Sequence, residues 1–108
     1  MIIRSLFSWT KPEIDQAFSQ SALKKRGKGM KLLVAPRPQD QTHGKLLIVI
    51  PRTSGKAHDR NRFRRRAKDV FYREELYKKP LAWILLVYDQ GLTLDFDDIK
   101  QFLIQNIR

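Results

Sequence analysis

The sequence predicts an α/β (α+β) two-layer sandwich, a small mixed sheet carrying three helices. Three observations predict it. Two apolar runs, Lys45 to Ile50 and Ala82 to Tyr88, have the length and continuity of buried strands. A long segment between them has helical periodicity and makes a strand–helix–strand unit. Near the end, Phe96, Ile99, Leu103 and Ile107 recur at three- and four-residue intervals, the pattern of an amphipathic helix docked on a sheet.

The elements follow in order. Thr10 is placed to cap a first helix, with Pro12 in its first turn and Glu13 complementing its dipole. Ile14, Ala17, Phe18 and Ser21 fall on one face of it. The stretch Lys24 to Gly29 is basic and glycine-containing and reads as a loop. Met30 to Ala35 reads as a short strand ended by Pro36 and Pro38, and Arg37 to Gly44 as a polar connection. Lys45 to Ile50 is the second strand, stopped by Pro51. After the turn Thr53-Ser54-Gly55, a helix starts between Ser54 and Asp59 and runs to about Tyr77; Lys78 and Lys79 suit its carbonyl end and Pro80 closes it. Ala82 to Tyr88 is the third strand, Asp89-Gln90-Gly91 a turn, and Thr93 or Asp95 the cap of the last helix. No internal repeat or linker divides the chain, and 108 residues are the size of one domain.

Lysine and arginine number 22 against 11 acids, a net charge of +11. So much self-repulsion destabilises a small body, and a polyanionic partner is the usual reason to keep it. Nucleic acid leads, because each neutralised phosphate releases condensed counterions. With no cysteine, disulfides and thiolate metal sites are excluded. Met1 to Trp9 lacks a signal-peptide pattern, and the run Leu81 to Tyr88 is far shorter than the roughly 20 residues that span a bilayer. The expectation is a soluble cytoplasmic protein.

The chemistry lies in the long helix. At about 100° per residue, Phe63, Ala67, Val70 and Phe71 share one arc and form the packing stripe. Asn61, Arg64, Arg65, Lys68 and Tyr72 occupy one flank, and Arg62, Arg66 and Arg73 the other. Arg60 sits at the edge of the stripe. Like charges at i,i+4, such as Arg60–Arg64 and Arg64–Lys68, each cost a few tenths of a kcal/mol, on the order of 0.2–0.5. An arrangement that weakens its own helix calls for a ligand. The planar fork of arginine suits bidentate phosphate contacts, and the Asn61 amide suits a phosphate, a 2′-hydroxyl or a base edge. Arg52, Thr53, Ser54, Gly55 and Lys56 precede the helix, where free N–H groups and the positive dipole end receive anions. Gly55-Lys56 is not a nucleotide-hydrolase phosphate loop, because the first glycine of that motif is missing.

The run Ile50-Pro51-Arg52-Thr53-Ser54-Gly55-Lys56-Ala57-His58-Asp59-Arg60-Asn61-Arg62-Phe63-Arg64-Arg65 resembles the signature of the ribonuclease P protein family. That family carries basic residues after a strand, then Gly-Lys-Ala, then Arg-Asn-Arg followed by an apolar residue and two cations. Gly55, Lys56, Ala57, Arg60, Asn61, Arg62, Arg64 and Arg65 fit in register, and Lys68-Asp69-Val70-Phe71 is similar to the continuation. The resemblance implies a fold like domain 2 of ribosomal protein S5, with a left-handed βαβ crossover. It implies a protein subunit joined to a large catalytic RNA that removes the 5′ leader of precursor tRNA. Arg52, Lys56, Arg60, Asn61, Arg62, Arg64, Arg65 and Lys68 would bind the RNA subunit, and Ile14 and Phe18 with the sheet face would hold the single-stranded leader. The sequence departs from the family at Thr53, where a second lysine is usual, at His58-Asp59 and at Arg66. Ile14 also stands where one of two aromatics is usual.

Phe18 reads as a core residue or as a stacking platform, and Trp9, Trp83 and Tyr88 as packing residues. His43 and His58 have no partners at metal-ligand spacing, and Asp95, Asp97 and Asp98 favour a helix amino end. No side chains form a catalytic constellation. If the chain serves the enzyme that the resemblance implies, hydrolysis is expected from magnesium ions held with the RNA subunit, with no cofactor bound by the protein alone. The rival reading is a non-catalytic RNA-binding or ribosome-associated protein of the same fold. A membrane-surface helix is disfavoured because its apolar stripe is committed to the core.

Overall fold

The computed structural model describes residues 5–36 and 43–108. The chain runs through α1 (Lys11–Gln20), β1 (Ala22–Gly27), β2 (Met30–Pro36), β3 (Lys45–Val49), α2 (Ala57–Arg73), a 3-10 turn (Leu76–Lys78), β4 (Leu81–Val87), the one-turn α3 (Asp89–Leu92) and α4 (Phe96–Ile107). The expected connection Arg37 to Gly44 lies mostly outside the described residues.

The four strands form a mixed sheet in the order β1-β2-β4-β3. β1 and β2 are antiparallel, β2 and β4 antiparallel, and β3 and β4 parallel, with Leu46 opposite Trp83 and Ile48 opposite Leu85. The parallel pair is the strand–helix–strand unit expected from sequence, and α2 is its connection.

Alternation along the strands divides the sheet into two faces. Leu32, Leu46, Trp83, Leu85 and Val87 point to one face, where they bury Phe63, Ala67, Val70 and Phe71 of α2 and Ile99, Leu103 and Ile107 of α4. The other face carries Leu33, Ala35, Leu47, Val49, Ala82, Ile84 and Leu86 and receives Ala17 of α1. Beyond Ala17, much of this second face is only half-buried, as Leu33, Leu47, Val49 and Leu86 show. Each Leu, Ile or Phe withdrawn from water on the closed side stabilises the fold by roughly 1.5–3 kcal/mol.

Three expectations need correction. The segment read as a loop at Lys24 to Gly29 is largely β1: its six residues Ala22–Gly27 pair with β2, and the chain reverses through Lys28 and Gly29. The lysines obscured it, because an edge strand exposed along nearly its whole length needs no apolar alternation. The long helix ends at Arg73 and not near Tyr77, since Glu75 turns left-handed at φ 56° and the chain re-enters as a 3-10 turn. Asp89-Gln90-Gly91 is no simple turn but belongs to the helical turn α3.

The apolar run Lys45–Val49 also lies at the sheet edge and not in its centre. Its outer side is covered instead by the segment before α1. The Leu46 N–H donates to the Leu6 carbonyl at 2.9 Å, and the Trp9 indole N–H donates to the Leu46 carbonyl at 3.0 Å. Both faces of the strand are packed as well, Leu46 and Ile48 on the α2 side and Leu47 and Val49 on the α1 side, so it reads as apolar on both sides.

Candidate nucleic-acid interface

The loop from Pro51 to Lys56 sets the start of α2. The Ser54 N–H closes onto the Pro51 carbonyl at 2.9 Å, and Ser54 itself is buried. Gly55 has φ +59°, a left-handed conformation, and a Cβ there would stand 2.6 Å from Leu92 Cδ1. Glycine is required on both counts. Lys56 begins the helix without a side-chain cap. Arg60 braces the loop instead: its Nη1 donates to the carbonyls of Arg52 at 3.0 Å, Ser54 at 3.3 Å and Gly55 at 2.9 Å. Drawing these carbonyls inward around one guanidinium fixes the loop against the first turns of α2.

The apolar stripe of α2 is the one the periodicity predicts: Phe63, Ala67, Val70 and Phe71 are buried. This burial fixes the helix rotation and so aims its cations outward. They are not equivalent. Arg62 pairs with Asp59 at 3.3 Å and Arg73 with Asp69 at 2.7 Å. Arg64 donates to Asn61 Oδ1 at 3.2 Å, which leaves the Asn61 amide donors outward. Lys68 stands over the Phe7 ring at 5.5 Å. Among the described residues, Arg52, Lys56, Arg60, Arg64, Arg65, Arg66 and Lys68 have no acidic partner, and of these Arg52, Lys56, Arg65 and Lys68 are exposed. The departure at Asp59 thus partly neutralises Arg62, whereas Arg66 adds a half-buried cation on the same flank.

The expected site residues fall into two places. Arg52, Lys56, Arg60, Asn61, Arg62, Arg64, Arg65 and Lys68 gather on α2 and the loop before it. Ile14 and Phe18 belong to α1, which packs on the opposite face of the sheet. Ile14 is half-buried, and Phe18 is 39% exposed. α1 itself is held by a reciprocal cap: Thr10 Oγ1 accepts from the Glu13 N–H at 3.3 Å, and the Thr10 N–H donates to Glu13 Oε1 at 2.9 Å. That Thr10 backbone bond, aided by the Thr10 hydroxyl and by Lys45, holds the Glu13 carboxyl below the usual carboxylate range despite partial burial. Lys45 Nζ reaches Glu13 Oε2 at 3.3 Å and lies 4.7 Å from the Trp9 ring, which ties α1 to β3.

Two further groups escaped the sequence reading. Lys24, Lys25, Arg26 and Lys28 line the β1–β2 hairpin in full exposure. Tyr88, taken as a packing residue, is 41% exposed with Lys31 Nζ at 5.8 Å from its ring. The available signal was Gly27-Lys28-Gly29, whose last glycine supplies the positive φ (72°) of a tight reversal between two strands. Among the described residues no group of three or more His, Asp or Glu is placed to hold a metal ion, and no helix is long and apolar enough to cross a membrane.

Comparison with known proteins matches this architecture. The chain superposes on the ribonuclease P protein of Staphylococcus aureus with a TM-score of 0.78 at 12% identity, covering 94% of this chain and 91% of that one. Against the ribonuclease P protein of Thermotoga maritima the TM-score is 0.76 at 17% identity, covering 93% of each chain. The Thermotoga maritima protein in complex with 1-(4-fluorophenyl)-2-thiourea gives 0.72 at 19% identity, covering 87% of this chain and 90% of that one. These likenesses establish the mixed four-stranded sheet with helices as the ribonuclease P protein fold. No curated protein matches the chain in sequence. A sequence model of the ribonuclease P family, however, matches residues 9–108, nearly the whole length and all of the loop and helix described above. The chain therefore belongs to the ribonuclease P protein family.

Proposed function

We propose that this member of the family binds the catalytic RNA subunit through α2 and the loop before it, and holds the 5′ leader of precursor tRNA on the open face of the sheet, promoting 5′ maturation of tRNA in the cytoplasm. The observation that carries the reading is the set of exposed cations without acidic partners, Arg52 and Lys56 in the loop before α2 and Arg65 and Lys68 on the helix, whose rotation is fixed by a buried stripe. Unpaired arginine and lysine at fixed positions bind phosphate with little reorganisation, and each contact releases counterions. Asn61 adds outward amide donors, and Arg64 and Lys68 extend the same flank.

The leader's place is supported by the half-buried apolar strips of β2, β3 and β4 beside exposed Phe18. Bases of a single strand stack on such surfaces with little sequence preference. Ile14 supplies apolar contact but no stacking plane. The protein contributes binding and positioning, and magnesium ions held with the RNA would supply the activation of the attacking water.

Reconstitution with the RNA subunit tests the reading. The wild-type chain alone is expected to leave precursor tRNA uncut and, together with the RNA, to support cleavage at low magnesium. Lys56→Ala with Arg65→Ala is expected to raise the magnesium needed and to weaken RNA-subunit binding. Unchanged activity of that double variant at physiological salt would end the proposal. Recovery of ribosomal RNA in place of one structured RNA from a pull-down would favour the ribosome-associated rival.

A further inference from the structure

The β1–β2 hairpin carries a charge concentration that the helix does not explain. From Ala22 to Lys31 the chain has Lys24, Lys25, Arg26, Lys28 and Lys31 and no acid. Among the described residues none of these five cations has an ion pair. Arg26 lies directly opposite Lys31 in the β1–β2 register, a like-charge cross-strand pair that weakens the sheet. Between Leu23 and Lys25 the register slips, so Lys24 stands outside the regular pairing.

An edge strand studded with lysines can serve only to repel other edges. This hairpin is more firmly built than that purpose requires. The Gly29 carbonyl accepts from the Tyr88 N–H at 2.9 Å, and Gly29 and Gly91 meet so closely that a Cβ on Gly29 would lie 2.1 Å from the Gly91 nitrogen. Gly27 is pressed against the Phe102 ring of α4, 2.5 Å from a Cβ placed there. The tip is thus fixed to both α4 and the end of β4, and the backbone that carries its cations is held in place.

The register also says which way some of them point. Directly opposed residues share a face, so Leu23 lies with Leu33, and Arg26 with Lys31, on the open side of the sheet, whereas Lys25, opposite Leu32, points to the α4 side. Exposed Tyr88 lies beside Lys31 there. α2 packs on the other side. From Ala35, under α1, to Lys31, beside the hairpin tip, the open face extends roughly 14 Å along β2.

We propose that the β1–β2 hairpin is a second RNA-binding surface, distinct from α2 and from the contact made by Ile14 and Phe18, and that its occupant is the phosphate backbone of the precursor's leader where that strand leaves the open face. The inference rests on the reading given under Proposed function. Arg26 and Lys31 take phosphates on the open face, Lys24 and Lys28 extend the cationic track to the exposed edge, and Lys25 carries it round to the far side of β1. Continuity with the α1 end of the face favours the leader over the RNA subunit, which α2 would meet on the opposite side.

The experiment compares two precursors, one with a long leader and one truncated close to the cleavage site, bound to reconstituted holoenzyme containing wild type or Lys24→Gln/Lys25→Gln/Arg26→Gln/Lys28→Gln. All four residues are exposed, and an unfolding midpoint no lower than that of the wild type checks that the variant folds. For the long leader, affinity is expected to fall by roughly one to two orders of magnitude, and the salt dependence to lose a slope of about 2–3, as expected for a single strand losing up to four phosphate contacts. Affinity for the short-leader precursor and for the RNA subunit stays the same. Equal affinity of both holoenzymes for the long leader overturns the proposal and leaves edge protection as the role of these cations. A loss seen equally with both precursors, or in binding of the RNA subunit, also overturns it by placing the hairpin on other RNA. A wild-type chain that gives the RNA subunit no help at all defeats the underlying functional reading, a result separate from any effect of the hairpin.

Discussion

Arg60 donates from Nη1 to the Gly55 carbonyl at 2.9 Å, so the first arginine of the Arg-Asn-Arg motif faces the loop that precedes its own helix. The carbonyls of Arg52 and Ser54 converge on the same nitrogen. A group so engaged supports the surface on which Arg52 and Lys56 are displayed. Arg60→Ala is expected to lower stability by about 1–3 kcal/mol, the range for losing charge-assisted hydrogen bonds, measured by denaturant unfolding. It should weaken RNA binding while leaving the slope of affinity against salt nearly unchanged. Arg65→Gln, by contrast, should keep stability within about 0.5 kcal/mol, as exposed substitutions do. Its salt slope should fall by about 0.7–0.9, one phosphate contact. A full unit of slope lost in Arg60→Ala would show that Arg60 touches phosphate directly.

Gly55→Ala strains the same loop from the other side. Its left-handed backbone disfavours any side chain by roughly 1–2 kcal/mol, and the new Cβ meets Leu92 Cδ1 at 2.6 Å. Combining it with Leu92→Ala should relieve the clash but leave the backbone strain. The two changes are therefore expected to be non-additive, the double variant being less destabilised than the sum of the singles. Strict additivity in denaturant unfolding would contradict the contact.

Glu13 and Lys45 give a prediction with a pH sign. The Lys45 side chain is 3% exposed, and its charge is met by Glu13 and the Trp9 ring. Glu13→Gln strands a buried cation and should cost more than Lys45→Met, which removes the charge and keeps the stem; breaking one partner of a buried pair costs about 3–5 kcal/mol at the upper end, and the partial exposure of Glu13 reduces it. Because the Glu13 carboxyl is depressed in the fold, its contribution is fully present above the ordinary glutamate range. It is lost as pH falls through the depressed value. The stability gap between wild type and Glu13→Gln should accordingly be widest near pH 7 and close under strong acid, as urea titrations at several pH values would show.

What was legible in the sequence follows from where each segment's free energy comes from. β4 and α4, like the stripe of α2, are specified by apolar burial, and burial leaves a periodicity that can be read along the chain. β1 is specified by backbone pairing to β2 and by two glycine contacts made to residues distant in sequence, Phe102 and Gly91. Neither leaves a local apolar pattern, so its lysines read as a loop. The α2 site shows the same division. The cations of Arg60 to Lys68 are visible as residues, but that Asp59 takes Arg62 and that the loop takes Arg60 depends on side-chain geometry.

Phe18 separates stability from binding most cleanly. At 39% exposure on α1 it buries only part of its ring, whereas Phe63 is 2% exposed beneath α2. Phe63→Ala removes a fully packed ring and should cost about 3–5 kcal/mol, a large share of the roughly 5–15 kcal/mol available to a domain. Loss of folded protein would follow. Phe18→Ala should cost well under half of that. If Phe18 forms the stacking plane beside the open face, its removal should still weaken binding of a leader-bearing precursor by about 1–3 kcal/mol, the worth of one stacked base. A precursor truncated at the cleavage site should bind both proteins alike. Ile14→Ala gives the internal comparison, since a half-buried aliphatic offers packing but no ring. Its effect should appear in unfolding more than in leader affinity. Should Phe18→Ala lose stability in full and leader affinity not at all, Phe18 is a core residue and the stacking role passes to the exposed ring of Tyr88 at the far end of the same face.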